Sequence, residues 1–143
     1  MMEREKRILV PMDGSKCAEN ILPRVEELAT DLNRGICHLR VVSAHTLPGG
    51  DTIKAQVKVV REAEEYLHGL EGQLKAKGFD VDTHVRYGNH VNEIVDHADG
   101  KDIDLIAMAT HGHRGIGRLF LGSVAEKVLR HSSKPMFVSH CNG

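Results

Sequence analysis

The chain has very little aromatic surface: no tryptophan, two tyrosines and three phenylalanines among 143 residues. It also lacks a dominant charge, since 19 lysines and arginines against 20 aspartates and glutamates leave a formal net charge of −1. Single-stranded or duplex nucleic acid is held by basic stripes and stacking platforms, and with neither in the sequence no nucleic-acid partner is expected. No apolar run is long enough to cross a bilayer, so no membrane association is expected either. The opening Met1-Met2-Glu3-Arg4-Glu5-Lys6-Arg7 is charged and has no apolar signal-peptide core, which points to the cytoplasm. Cysteine is sparse: Cys17, Cys37 and Cys141 are odd in number and scattered, and read as reduced thiols rather than a disulfide framework. A chain of this length forms one domain, residues 1–143, that can bury an α/β core unaided.

Apolar runs and helical stripes alternate along the whole length. Arg7 to Met12 reads as a first short strand and Ile36 to Ser43 as a second. Between them Ile21, Leu22, Val25, Leu28, Ala29 and Leu32 recur at helical spacing over Lys16 to Asn33. Pro23 should kink that helix or mark a break after a first short turn. His45 to Asp51, with Leu47-Pro48-Gly49-Gly50, reads as a mobile loop. A long helix is expected from Thr52 to Lys77, with Val57, Val60, Ala63, Leu67, Leu70 and Leu74 inward and Gly78 as its stop. Val81 to Tyr87 alternates as an edge strand does, and Asn89 can cap a helix carrying Val91, Ile94, Val95 and Ala98. A buried strand at Ile103 to Ala109, a helix at Ser123 to His131 and a last strand at Pro135 to His140 complete the pattern. Such alternation, without repeat or linker, indicates a parallel sheet covered on both faces, a doubly wound α/β fold.

After the Ile103 strand comes Thr110-His111-Gly112, then nine residues, then Gly122-Ser123-Val124-Ala125-Glu126. Glycines closing on a helix start expose backbone N–H groups, the means by which proteins hold phosphate. Two better-known phosphate loops are absent. Gly117 to Val124 has no Walker lysine, and Gly115-Ile116-Gly117 is followed by Arg118, Leu119 and Phe120 rather than a dinucleotide fingerprint. What remains is G-x-x-G, nine residues, G-[ST]. The stretch Thr110 to Arg130, together with Ile8-Leu9-Val10-Pro11-Met12-Asp13-Gly14-Ser15, closely resembles the universal stress protein family over essentially the whole chain. One departure is that the family's first motif glycine falls on Ala109. An alanine keeps the backbone donors; its methyl costs about 1–2 kcal/mol where φ must be positive and almost nothing elsewhere.

The resemblance implies a five-stranded sheet of order 3-2-1-4-5, which places the ligand crevice between the first and fourth strands, beside Asp13 and Gly112. The ligand it implies is ATP, or ADP or AMP, with Mg²⁺ bound through the nucleotide. Asp13 can meet a ribose hydroxyl, an adenine edge or a phosphate-bound magnesium; it can equally share the capping of the next helix with Ser15. Gly112, Gly122, Ser123 and Val124 would offer phosphate contacts, with Gly115 giving the covering loop its freedom and Arg114 in reach or solvated. Ser123-x-x-Glu126 also reads as a capping box, a use that can coexist with phosphate binding. Val41 resembles the family's adenine-contact position, and Pro11, Met12 and Met108 would line the same slot; Ala109, at the motif's first position, counts among the nucleotide-binding residues. Ten histidines show no metal spacing, and His111-x-His113 reads as solvated loop residues.

The leading functional reading is therefore a stress-response protein that binds adenine nucleotide and does not catalyse. The alternatives are a slow ATPase or other nucleotide-dependent enzyme, or a family member that binds no nucleotide and acts through protein contacts. Pro11 stands where an aspartyl-phosphate enzyme needs a second aspartate, and no base to orient water against a γ-phosphate stands out. The last strand, short and apolar with no mid-strand lysine or proline, is unprotected as an edge. The resemblance implies a homodimer formed through it, over Pro135 to His140.

Overall fold

The computed structural model describes residues 6–42, 53–100, 102–111 and 122–141. The loop expected over 45–51 lies outside the described residues, as do Gly112, Arg114, Gly115, Gly117 and Arg118 of the glycine segment. The elements run β1 (Arg7–Pro11), α1 (Lys16–Glu19), α2 (Leu22–Leu32), β2 (Gly35–Val42), α3 (Ile53–Ala76), β3 (Val81–Tyr87), α4 (His90–Ala98), β4 (Ile103–His111), α5 (Ser123–His131) and β5 (Met136–Cys141). All five strands are parallel, in the order β3-β2-β1-β4-β5.

Period-two alternation in the strands sorts the core into two layers. Ile8 and Val10 of β1, Ile36 of β2 and Ala107 of β4 face one way, under Ala18 of α1, Val25 and Ala29 of α2 and Leu67, Leu70 and Leu74 of α3. Leu9, Cys37, Leu39, Val41, Ile106 and Met108 face the other way, under Ile94 and Ala98 of α4 and Ala125 and Val128 of α5. The sheet is thus buried on both faces, as its near-continuous apolar strands require. Among the described residues no helix is long and apolar enough to cross a membrane.

The first helical stretch is broken, not kinked. It divides at Asn20-Ile21, and Pro23 falls in the opening turn of α2, where no intrahelical N–H bond is lost. Leu32 and Val57, expected inward, are 44% and 50% exposed; Leu32 is the last residue of α2 and Val57 lies near the start of α3. The Asn89 cap forms as the sequence suggests, its side-chain oxygen accepting from the Asn92 N–H at 3.1 Å.

The cysteines overturn the expectation of three reduced thiols. Cys17 of α1 and Cys141 at the end of β5 form a disulfide, with Cα atoms 5.4 Å apart and 124 residues between them in sequence. Odd number and wide spacing hide the pair, because the two cysteines meet only once α1 packs against β4, the strand next to β5 in the sheet. Cys37 is the remaining free cysteine, and it is buried.

Candidate functional site

In a parallel sheet whose connections leave in opposite directions from two adjacent strands, a crevice opens beyond their carboxyl ends. Here the strands are β1 and β4: the chain leaves β1 for α1 and α2 on one face, and reaches α5 on the other face after β4. A cleft of about 570 Å³ occupies that place. Pro11, Met12, Asp13, Val41, Met108, Ala109, Gly122, Ser123 and Val124 all line it. Segments about a hundred residues apart in sequence meet there.

Its walls are apolar and its polar groups few, the usual make-up of a small-molecule site. Met12 is fixed by its N–H donating to Leu39 O at 2.7 Å, tying the end of β1 to β2. Asp13 stands at the rim. Its Oδ1 accepts from the Ser15 N–H at 2.9 Å and from the Ser15 hydroxyl. Ser15 Oγ in turn accepts from the Ala18 N–H at 3.1 Å and caps α1. Burial pushes the Asp13 carboxyl upward, but the two bonds from Ser15 and the positive charge of Arg40 outweigh it and hold it below its ordinary value. Asp13 is accordingly an anion at neutral pH, and its capping use and a ligand use are compatible.

The opposite wall is the start of α5. Gly122, with φ −54° and ψ 154°, is the N-cap; the Glu126 N–H donates to its carbonyl at 2.9 Å. The capping box expected at Ser123-x-x-Glu126 does not form. Ser123 sits one residue inside the helix, no side-chain cap bond is made, and Glu126 reaches forward to Arg130 at 2.7 Å instead. The frame is shifted by one because glycine satisfies the extended N-cap conformation without a side-chain bond. The first N–H groups of α5 therefore have no intrahelical acceptor, and they border the cleft.

Gly122 does not need glycine for its own backbone. A methyl there would meet only Thr110 Cβ at 3.8 Å and Cγ2 at 3.9 Å, ordinary contacts. Ala109 is free of backbone strain too. It lies within β4, opposite Ser139, and Asn33 is the one non-glycine of positive φ among the described residues. The Ala109 methyl therefore costs this backbone nothing.

Six further lining residues, Ala18, Leu39, His90, Ile94, Thr110 and Ala125, are not among those the sequence pointed to. Leu39 could have been found, being two residues before Val41 on one face of β2. Thr110 follows Met108 by two in β4; it is buried, with its hydroxyl 3.2 Å from His140 Nδ1. His90 and Ile94 carry no signal, since the folding of α4 over the sheet decides that they reach the crevice.

Comparison with known proteins agrees with this architecture. A family model described as the universal stress protein family matches residues 5–140. Universal stress protein MJ0531 of Methanocaldococcus jannaschii is 29% identical over 93% of this chain and 81% of its own length. MJ0577 of the same organism is 27% identical over 93% of both chains. The solved structure of MJ0577 superposes with a TM-score of 0.78 at 28% identity, covering 97% of this chain and 98% of that one. A universal stress protein from Archaeoglobus fulgidus, solved in complex with dAMP, has a TM-score of 0.68 at 20% identity, over 96% and 98% of the two chains.

Proposed function

The chain belongs to the universal stress protein family, and from that premise we propose that it binds an adenine nucleotide in the cleft between Asp13 and the start of α5. The observation that carries this reading is the joining of a carboxylate and a helix N-terminus across one apolar cleft of nucleotide size. The A. fulgidus protein holds dAMP, but at 20% identity that likeness is one of fold, so the case rests on this chain's own residues. Leu39, Val41, Met108 and Ile94 give an apolar slot for a base. The open N–H groups of α5 and the Ser123 hydroxyl suit phosphate, while Asp13 suits a ribose hydroxyl or a nucleotide-bound Mg²⁺. ATP, ADP and AMP all fit this description. Gly112, Arg114 and Gly115 would add contacts from the segment between β4 and α5.

The protein holds its nucleotide rather than turning it over, as a homodimer. Asp13 is the one carboxylate among the described lining residues, so no paired acid is there to orient a water against a γ-phosphate, and the cleft's histidine, His90, comes from α4. β5 ends the sheet order and has no strand on its outer side among the described residues, so its edge is the surface offered to a second copy. Light scattering at tens of micromolar should give twice the 15.8 kDa chain mass, and a monomer there removes the dimer.

Calorimetry with ATP and ADP tests the binding itself, supported by mass analysis of nucleotide carried through purification. The wild-type protein should bind. Gly122→Asp should lose at least a hundredfold in affinity while keeping its circular dichroism, because the backbone accepts a side chain but the phosphate space does not. Absence of any ATP or ADP binding to the wild type rejects the reading. Steady hydrolysis above about one turnover per second, the lower end of kinase rates, abolished by Asp13→Asn, replaces it with an enzyme.

A further inference from the structure

At the other end of the sheet, three metal-ligating side chains converge from three elements. Cys37 comes from the start of β2, His84 from β3 and His97 from the last turn of α4, and their donor atoms all lie within 4.8 Å of one another. They border a cavity of about 310 Å³ that Arg7, Asp82, Asp96, Asp102 and Gly100 also line. Cys37 is buried and the two imidazoles are half-buried.

We propose that Cys37, His84 and His97 form a binding site for a thiophilic divalent transition metal, zinc foremost, at the amino-terminal end of the sheet. The donor set selects the ion: one thiolate and two imidazoles suit zinc, cobalt or copper and are poor ligands for magnesium or calcium. The spacing suits it as well. Zinc bonds of about 2.3 Å to sulfur and about 2.0–2.1 Å to nitrogen at a tetrahedral angle put the two ligand atoms roughly 3.5 Å apart. Cys37 Sγ and His97 Nε2 stand 3.5 Å apart. The donor atoms of all three residues lie within 4.8 Å of one another, so a shift of about an ångström in the His84 side chain brings it to ligating distance with the other two.

The surroundings supply what a ligand histidine needs beyond the metal. Asp82 Oδ2 is 3.1 Å from His84 Nε2, which fixes the ring and leaves Nδ1 to ligate, the carboxylate–histidine pairing found behind many metal ligands. Asp82 Oδ1 is buried with no hydrogen-bond partner among the described residues and lies 3.5 Å from Arg7 Nη1. Binding replaces the Cys37 S–H bond by a sulfur–metal bond and releases one proton to solvent, with no change of oxidation state. One thiolate and the Asp82 carboxylate then balance the two positive charges. The fourth position is open to water. Without a metal, the same residues form a plain Cys37–His97 contact with a tilted imidazole pair, and that is the arrangement the test must distinguish.

The disulfide-intact protein is suited to the experiment, because Cys37 is then its one free thiol. Titrating metal-free, nucleotide-free protein with cobalt(II) should give one equivalent bound, visible ligand-field bands and a thiolate-to-cobalt charge-transfer band in the near ultraviolet. Zinc should displace the cobalt. Cys37→Ser should abolish the charge-transfer band, and His97→Gln should weaken cobalt binding at least tenfold with circular dichroism unchanged. Asp82→Asn should keep the spectrum but bind about 10–100-fold more weakly, as expected for a group that orients a ligand. The proposal fails if the wild type shows no charge-transfer band at a hundredfold excess of cobalt, or if the band survives Cys37→Ser. ATP affinity should be the same in Cys37→Ser as in the wild type, so the metal result and the nucleotide result stand or fall separately.

Discussion

The two ends of the sheet are built by different means. At the carboxyl end, the polar side of the cleft is mostly backbone, a helix N-terminus with its glycine cap, with Asp13 as the one acid among its described lining residues. At the amino end, the Cys37–His84–His97 cluster is made of side chains, and the backbone there is regular strand and helix. A backbone site constrains a contiguous stretch of sequence, because glycines and a helix start must follow one another. A side-chain site constrains only the residue types at three positions, and the fold does the rest.

The largest effect should come from severing the bond at the carboxyl end. Cys17–Cys141 closes a loop spanning 124 residues of sequence separation. Chain entropy puts an upper limit of about 5 kcal/mol on such a closure, and native disulfides typically contribute about 2–4 kcal/mol. Cys17→Ser/Cys141→Ser should therefore lose about 2–4 kcal/mol in urea unfolding, and reduction of the wild type should do the same. Cobalt affinity at the amino end should change less than twofold. A stability change below about 1 kcal/mol would mean that the carboxyl end does not depend on the bond.

A smaller effect belongs to the core between the two ends. His38 is fully buried in β2, and neither ring nitrogen has a hydrogen-bond partner among the described residues. Burial pushes its pKa down from 6.5 to about 4, against the opposing pull of Glu71 and Asp82. Between those two values the unfolded chain binds a proton that the folded chain refuses, so stability falls as pH drops through that window. The full span is worth at most about 3 kcal/mol. His38→Leu should remove that slope between pH 6.5 and 4 and add about 1–2 kcal/mol at pH 7 by deleting two unpartnered polar atoms. An equal slope in the variant would show that other groups carry the acid sensitivity.

The contrast between the ends also explains which features are legible in the amino-acid sequence and which are not. Strand and helix alternation places every element to within a few residues, because the apolar stripes of α3 and α4 and the runs of β1, β2 and β4 are long and periodic. Asp13, Met108, Gly122 and Ser123 are legible as neighbours because the resemblance to the universal stress protein family implies the sheet order that ties them together; the residues alone do not fix it. Cys37, His84 and His97 have no common spacing. They meet because β2 pairs with β3 in a register that sets Cys37 beside Asp82 and Leu39 beside His84, on the face covered by α4. Cys17 and Cys141 look unrelated in sequence for the same reason: contact order, not local pattern, decides which cysteines meet. The one-residue shift at α5 is local. Serine at a helix start outranks glycine as an N-cap on average, but here Gly122 takes the cap and Ser123 the first helical position.

That last detail yields the finest test of what the carboxyl end is for. If Ser123 were a cap, its removal would cost stability, as removal of Asn89 should. Asn89→Ala deletes an observed bond to the Asn92 N–H and should cost about 1 kcal/mol in urea unfolding, with no change in nucleotide affinity. Ser123 makes no cap bond, so Ser123→Ala should leave unfolding within about 0.5 kcal/mol of the wild type. Its loss should appear in binding instead: one hydroxyl donor to a phosphate is worth about 1 kcal/mol, roughly fivefold in Kd for ATP. The two variants should thus fail in opposite assays. Ser123→Ala that loses stability and keeps its ATP affinity would return the serine to a purely structural role, leaving the phosphates to the backbone N–H groups of α5.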